Sequence, residues 1–194
     1  MSIAQDPAAF EAAQLQQRSE RRPVHLAAFV CGPGGAGAEA EIVDLSYDGC
    51  AIATRLALEP KQTISLSVLG KGAIPAEVRW ARDGKAGLAF KSDDDGSKAQ
   101  RPRAAPRISL VSEVVVRRIG QAKYRVRVLD LSPVGCKIDL IDRPRIGEKM
   151  LIKFDGIEIV EAEVCWVEDF FAGLRFDRPF HPIVFDLLTA RLRG

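Results

Sequence analysis

A chain of 194 residues that is 47% hydrophobic, with a formal net charge of +2, has material for two small cores rather than one large one, and its bulk charge demands neither a nucleic acid nor an anionic membrane as partner. The four cysteines, Cys31, Cys50, Cys136 and Cys165, show no C-x-x-C spacing, and His25 and His181 stand far apart, which argues against zinc or any other metal. No stretch approaches the roughly 20 apolar residues of a membrane span, and MSIAQDPAAFEAAQLQQ has neither the basic start nor the apolar run of a signal peptide, so a cytoplasmic chain without membrane insertion is expected.

Residues 1–17 carry Ala8, Ala9, Ala12 and Ala13 as strong helix formers and predict a short N-terminal helix or tail. From Arg22 onward the hydrophobic period changes to two. Ile64, Leu66 and Val68 alternate with polar residues, as do Tyr124, Val126 and Val128, the signature of half-buried antiparallel strands. Ile74, Ala76, Val78 and Trp80 are expected to face one way along a third kind of strand, and Val160, Ala162, Val164 and Trp166 to do the same later in the chain. Turns are read at GPGGAG (32–37), RDGK (82–85) and RRIGQA (117–122). SDDDGSKAQ (92–100) is polar and acidic without an apolar face and reads as a linker. HPIVFDLLTARLRG opens with Pro182 at a first helical position, spaces Val184, Leu188 and Leu192 by four, and closes with arginines, which predicts a C-terminal amphipathic helix that plugs one end of the second barrel or, as the alternative, forms a dimer contact.

The chain also repeats itself. RSERR (Arg18 to Arg22) is followed 22 residues later by DLSYDG (Asp44 to Gly49), and RAAPR (Arg103 to Arg107) is followed 23 residues later by DLSPVG (Asp130 to Gly135). Each copy closes with a tryptophan strand and an A-G-L-x-F tail. Asp44 and Asp130, Trp80 and Trp166, and Gly87 and Gly173 are all 86 residues apart. A period of that length means two domains, each large enough to bury its own core, and five or six short strands per copy without an internal helix point to small closed β-barrels. Cys50 and Cys136, directly after the motif glycines, are expected to be buried core thiols.

Each motif has two readings. An Arg-x-x-x-Arg pair is either a solvated basic stretch or two planar donor forks able to grip phosphate and the O6 and N7 edge of guanine. In Asp-x-Ser-x-x-Gly the side chains either shape a turn, with Gly supplying a positive φ, or offer an acceptor to guanine N1 and N2 and a hydroxyl beside it. Their joint recurrence, in one order and at nearly one separation, makes chance a poor explanation.

On these residues both copies resemble PilZ domains, the bacterial receptor modules for cyclic di-GMP, over about residues 16–92 and 101–179. The resemblance implies an all-β fold of two tandem six-stranded antiparallel barrels: 1–17 N-terminal helix or tail, 18–91 first barrel, 92–100 linker, 101–179 second barrel, 180–194 C-terminal helix. It implies ligand contacts from Arg18, Arg22, Asp44, Ser46 and Gly49 in the first copy, and from Arg103, Arg107, Asp130, Ser132 and Gly135 in the second. Gln17 and Pro102 stand where some members carry a further arginine, a position linked to ligand stoichiometry, and Pro106 and Pro133 stiffen the second copy.

No nucleophile, base and orienting group cluster, so a non-enzymatic effector without cofactors is expected, coupling cyclic di-GMP binding to a change in interdomain arrangement and to a downstream protein partner. The alternative is an interaction scaffold in which one or both barrels do not bind nucleotide. DNA or RNA binding is not expected, for want of a stacking platform and a basic excess.

Overall fold

The computed structural model describes residues 24–68, 71–91, 107–118 and 120–193. The predicted N-terminal helix, the linker, and Arg18, Arg22 and Arg103 lie outside the described residues.

The first barrel is built from β1 (Leu26–Cys31), β2 (Gly37–Leu45), β3 (Gly49–Thr54), β4 (Thr63–Val68), β5 (Gly72–Arg82) and β6 (Lys85–Phe90). The second repeats the plan with β7 (Ile108–Arg118), β8 (Lys123–Ser132), β9 (Gly135–Asp139), β10 (Lys149–Lys153), β11 (Val160–Glu168) and β12 (Phe171–Phe176), and α1 (Pro182–Arg193) follows. Every pairing is antiparallel, and the orders β1-β2-β3-β6-β5-β4 and β7-β8-β9-β12-β11-β10 both close, leaving no exposed sheet edge. The expected all-β tandem architecture with six strands per barrel is the observed one.

Alternation fills the interiors. Ile42, Ile52, Leu66 and Val78 meet inside the first barrel and Val128, Ile138, Ile152 and Val164 inside the second, all fully buried. The tryptophan strand departs from the expected pattern. Its register shifts between Val78 and Trp80, and between Val164 and Trp166, so Arg79 and Cys165 are bulged residues and the alternation inverts beyond them. Ile74, Ala76 and Val78 point inward as expected, but Trp80 lies on the outer face at 39% exposure, while Ala81 rejoins the core. A second bulge recurs between Ile42 and Asp44, and between Val128 and Asp130.

The two barrels dock through the first motif turn. Leu45 N–H donates to the Gly156 carbonyl and Glu158 N–H returns to the Leu45 carbonyl, both at 3.1 Å, forming a short parallel bridge between Leu45 and Ile157. Tyr47 is buried against the second barrel: its hydroxyl accepts from Glu161 N–H at 3.1 Å, its ring stacks on Phe180 at 5.3 Å, and the Arg178 guanidinium lies 4.4 Å from its centroid. Burial pushes the Tyr47 phenol above its ordinary pKa. The α1 helix buries Val184, Phe185, Leu187 and Leu188, packs against β7, and reaches the first barrel through Asp186 and Lys71 at 2.8 Å.

Val24 wedges into the same seam. It is fully buried, donates to the Val43 carbonyl, and sits where a methyl on Gly156 would stand 2.3 Å from its Cγ2. Gly156 also has φ of +81°. Gly156→Ala is therefore expected to lose about 1–3 kcal/mol to clash and backbone strain. Gly34→Ala, at φ +87° with open space around it, pays only the backbone share. Thermal unfolding by calorimetry should show the larger drop in Tm for Gly156→Ala, about 2–4 °C for each kcal/mol.

Candidate functional site

The bulges build a groove on the outer wall of the first barrel. Without Val43 as an extra residue, β2 would keep one parity through Leu45. With it, Leu45 turns into the core and Asp44 turns to the surface opposite Ala51. The bulge at Arg79 does the same for Trp80, which comes to lie over Gly87 on β6: a methyl there would stand 2.1 Å from the indole Nε1. The equivalent distance from Gly173 to Trp166 Nε1 is 1.9 Å, so each A-G-L tail keeps its glycine as the seat for the tryptophan. Asp44, Ser46, Asp48, Arg79, Trp80 and Glu158 line the resulting open groove of about 220 Å³.

Within the motif turn, Ser46 N–H donates to the Gly49 carbonyl at 3.0 Å and the Ser46 hydroxyl to Asp48 Oδ1 at 3.4 Å. The turn reading of the motif gives its glycine a positive φ, but neither Gly49 nor Gly135 has one. The glycines are required by close approach instead, since a Cβ on Gly49 would stand 1.9 Å from the Leu88 carbonyl oxygen and one on Gly135 2.2 Å from that of Leu174. Both are buried as β3 and β9 leave the turn and meet β6 and β12.

In the second barrel Arg107 and Asp130 come together, Nη1 to Oδ1 at 3.7 Å, with Arg107 largely exposed and Asp130 half-buried. Ser132 is buried and its hydroxyl donates to the Gly135 carbonyl at 3.0 Å, so it is committed to the turn in a way that Ser46 is not. Around the turn Val134 stands in the place of Asp48, Lys137 in that of Ala51, Cys165 in that of Arg79 and Arg175 in that of Ala89. Lys137 Nζ lies 4.4 Å from the Phe171 ring centroid and Arg175 is 3.3 Å from Glu163.

The segment before α1 ties the two turns together. Consecutive amides donate to the equivalent carbonyls of the two motifs, Phe180 N–H to Pro133 at 2.8 Å and His181 N–H to Tyr47 at 2.7 Å. Arg79, Trp80, Tyr47 and Glu158 belong to the site or its support, and sequence reasoning does not single them out. A local signal exists for Trp80, in the glycine its indole covers, but none for Glu158, 111 residues from the Tyr47 amide that its carboxylate accepts at 3.3 Å. Among the described residues no group of three or more His, Cys, Asp or Glu could hold a metal, and no helix is long and apolar enough to cross a membrane.

The family model of the PilZ domain matches the chain twice, at residues 16–101 and 101–190. No curated protein matches. Among solved structures the chain is similar to PlzA of Borreliella burgdorferi in complex with c-di-GMP, at 14% identity over 96% of this chain and 99% of that one, with a TM-score of 0.38. It is similar to the inhibitor of motility MotI/DgrA of Bacillus subtilis, at 15% identity over 88% and 96% with a TM-score of 0.36. YcgR of Escherichia coli in complex with c-di-GMP is 16% identical over 96% and 88%, with a TM-score of 0.33.

The cysteines give an independent check on the site's walls. Burial pushes the Cys50 thiol up to about 12, the Asp44 carboxylate adding to it, and burial with Asp130 raises Cys136 further. Cys165 is exposed. At pH ~8 a thiol of pKa near 12 is ~0.01% thiolate, so a maleimide should modify Cys165 readily and leave Cys50 and Cys136 intact until the protein unfolds. Peptide mass mapping reads the order, and early loss of Cys50 or Cys136 would contradict the closed wall.

Proposed function

Because the chain belongs to the PilZ family, we propose that it is a non-enzymatic effector that binds cyclic di-GMP, with one candidate site on each barrel. Arg18 and Arg22 with Asp44, Ser46 and Gly49 would serve the first, and Arg103 and Arg107 with Asp130, Ser132 and Gly135 the second. The observation that carries the reading is the approach of Arg107 to Asp130 across 3.7 Å, because it joins the end of an arginine cluster to a motif turn 23 residues further along the chain. A guanidinium fork beside a carboxylate suits a ligand whose phosphates need cationic donors and whose guanines need both an acceptor for N1 and N2 and a donor for O6 and N7.

The same turns supply a route from ligand to output. Asp44 and Ser46 face the groove while Leu45 and Tyr47, the residues between and after them, hold the second barrel, and the Phe180 and His181 amides link both turns. A ligand that draws Arg18 and Arg22 onto the first turn acts on the seam that Val24 occupies two residues later. The reading includes a change in interdomain arrangement and a downstream protein partner, for which Ile141 and Phe170, exposed on neighbouring loops of the second barrel, offer apolar surface.

Calorimetric titration of cyclic di-GMP tests binding. Arg18→Ala/Arg22→Ala and Arg103→Ala/Arg107→Ala should each abolish one site, since removing a bidentate arginine pair costs about 1–3 kcal/mol per arginine. Absence of heat and of competition in the wild type would refute the receptor assignment. Small-angle scattering at saturation tests the coupling, for which a changed profile is expected and an identical one would sink it.

A further inference from the structure

We propose that Glu158, a residue of the second barrel, sets the first groove as the weaker of the two anion sites, so that the protein responds to its dianionic ligand in two concentration ranges. This rests on the receptor reading above. Glu158 lies between β10 and β11 but lines the groove of the other barrel, where it is held from both ends. Its backbone N–H donates to Leu45 at 3.1 Å and its carboxylate accepts from Tyr47 N–H at 3.3 Å, so docking of the barrels carries a negative charge to the rim of the site.

The charge balance of the two sites differs accordingly. Among the described residues, three carboxylates, Asp44, Asp48 and Glu158, line the first groove against one guanidinium, Arg79, which itself bonds Glu77 at 3.0 Å. At the matching positions of the second barrel Val134 removes a carboxylate and Cys165 removes the guanidinium, while Lys137 and Arg175 replace alanines, Arg175 being held by Glu163 at 3.3 Å much as Arg79 is by Glu77. Both motif aspartates are retained, as guanine recognition requires. The surplus of negative charge in the first groove therefore comes from Asp48 and Glu158 rather than from the aspartate shared by the two motifs, and it opposes the ligand's phosphates. Asp48 belongs to the first barrel's own turn, whereas Glu158 is present only while the barrels are docked. It follows that affinity at the first site depends on the interface: undocking withdraws the opposing charge, and occupancy favours withdrawal.

The test isolates each site. Cyclic di-GMP is titrated calorimetrically into Arg103→Ala/Arg107→Ala, which leaves the first site, and into Arg18→Ala/Arg22→Ala, which leaves the second, each with and without Glu158→Gln. Glutamine keeps an acceptor for Tyr47 N–H and removes only the charge. Glu158→Gln should tighten the first site about three- to thirty-fold and leave the second unchanged, and the gain should shrink as salt rises from ~0.03 M to ~0.5 M. A merely structural role would not give that salt dependence. Unchanged or weakened binding at the first site, or a first site tighter than the second, overturns the proposal while the receptor reading stands, and so does a first site silent in both backgrounds. Loss of binding in every protein, wild type included, defeats the receptor reading itself.

Discussion

One extra residue in an antiparallel ladder is the device on which the groove depends. A closed barrel whose side chains alternate strictly presents its apolar set inward and can turn outward only what the period allows. The bulges at Val43 and Arg79 break that rule at neighbouring points of one wall. Each lets the strand return a side chain toward the core, Leu45 or Ala81, after presenting one that lines the groove, Asp44 or Trp80. The repeat of both bulges in the second barrel, at Leu129 and Cys165, makes them part of the duplicated plan.

What distinguishes the copies is the use made of the letters between the motif residues. In the first turn Tyr47 buries a ring, donates its amide to Glu158 and accepts at its carbonyl from His181, while its hydroxyl takes the Glu161 amide. In the second turn Pro133 has neither an aromatic ring nor an amide proton to offer, and its carbonyl is engaged by the Phe180 amide. The motif residues are alike in the two copies and the docking residues are not. This is how a duplicated unit acquires one interface without altering either motif.

The plan of two barrels is open to reading because it is written in local and periodic terms: runs of period two, turn dipeptides such as Asp83-Gly84, a constant interval of 86 residues, and a proline at the start of α1. The motif turns are legible for the same reason. The outward face of Trp80 escapes a sequence reading because a single-residue bulge leaves Ile74, Ala76, Val78 and Trp80 looking like an unbroken alternation. The reason for Gly49 escapes it because the constraint comes from the Leu88 carbonyl on another strand, not from its own φ. Glu158 is illegible in principle, since its place in the first groove follows from docking between segments more than a hundred residues apart. Of the two arginine clusters, only Arg107 lies among the described residues.

The contact between the barrels is head-to-tail: the motif turn of one copy meets the β10–β11 loop of the next, and neither surface meets its own equivalent. Contacts of this kind have no built-in stopping point and can propagate into open filaments when every unit offers both halves. Here the second turn is disqualified from the donor role. Pro133 offers neither a phenol ring nor an amide proton where Tyr47 supplies both, so the contacts that hold the first turn have no counterpart there. The duplicated turn thus carries a heterologous interface inside one molecule and lacks, in its second copy, the residue that would repeat that interface onto a neighbour.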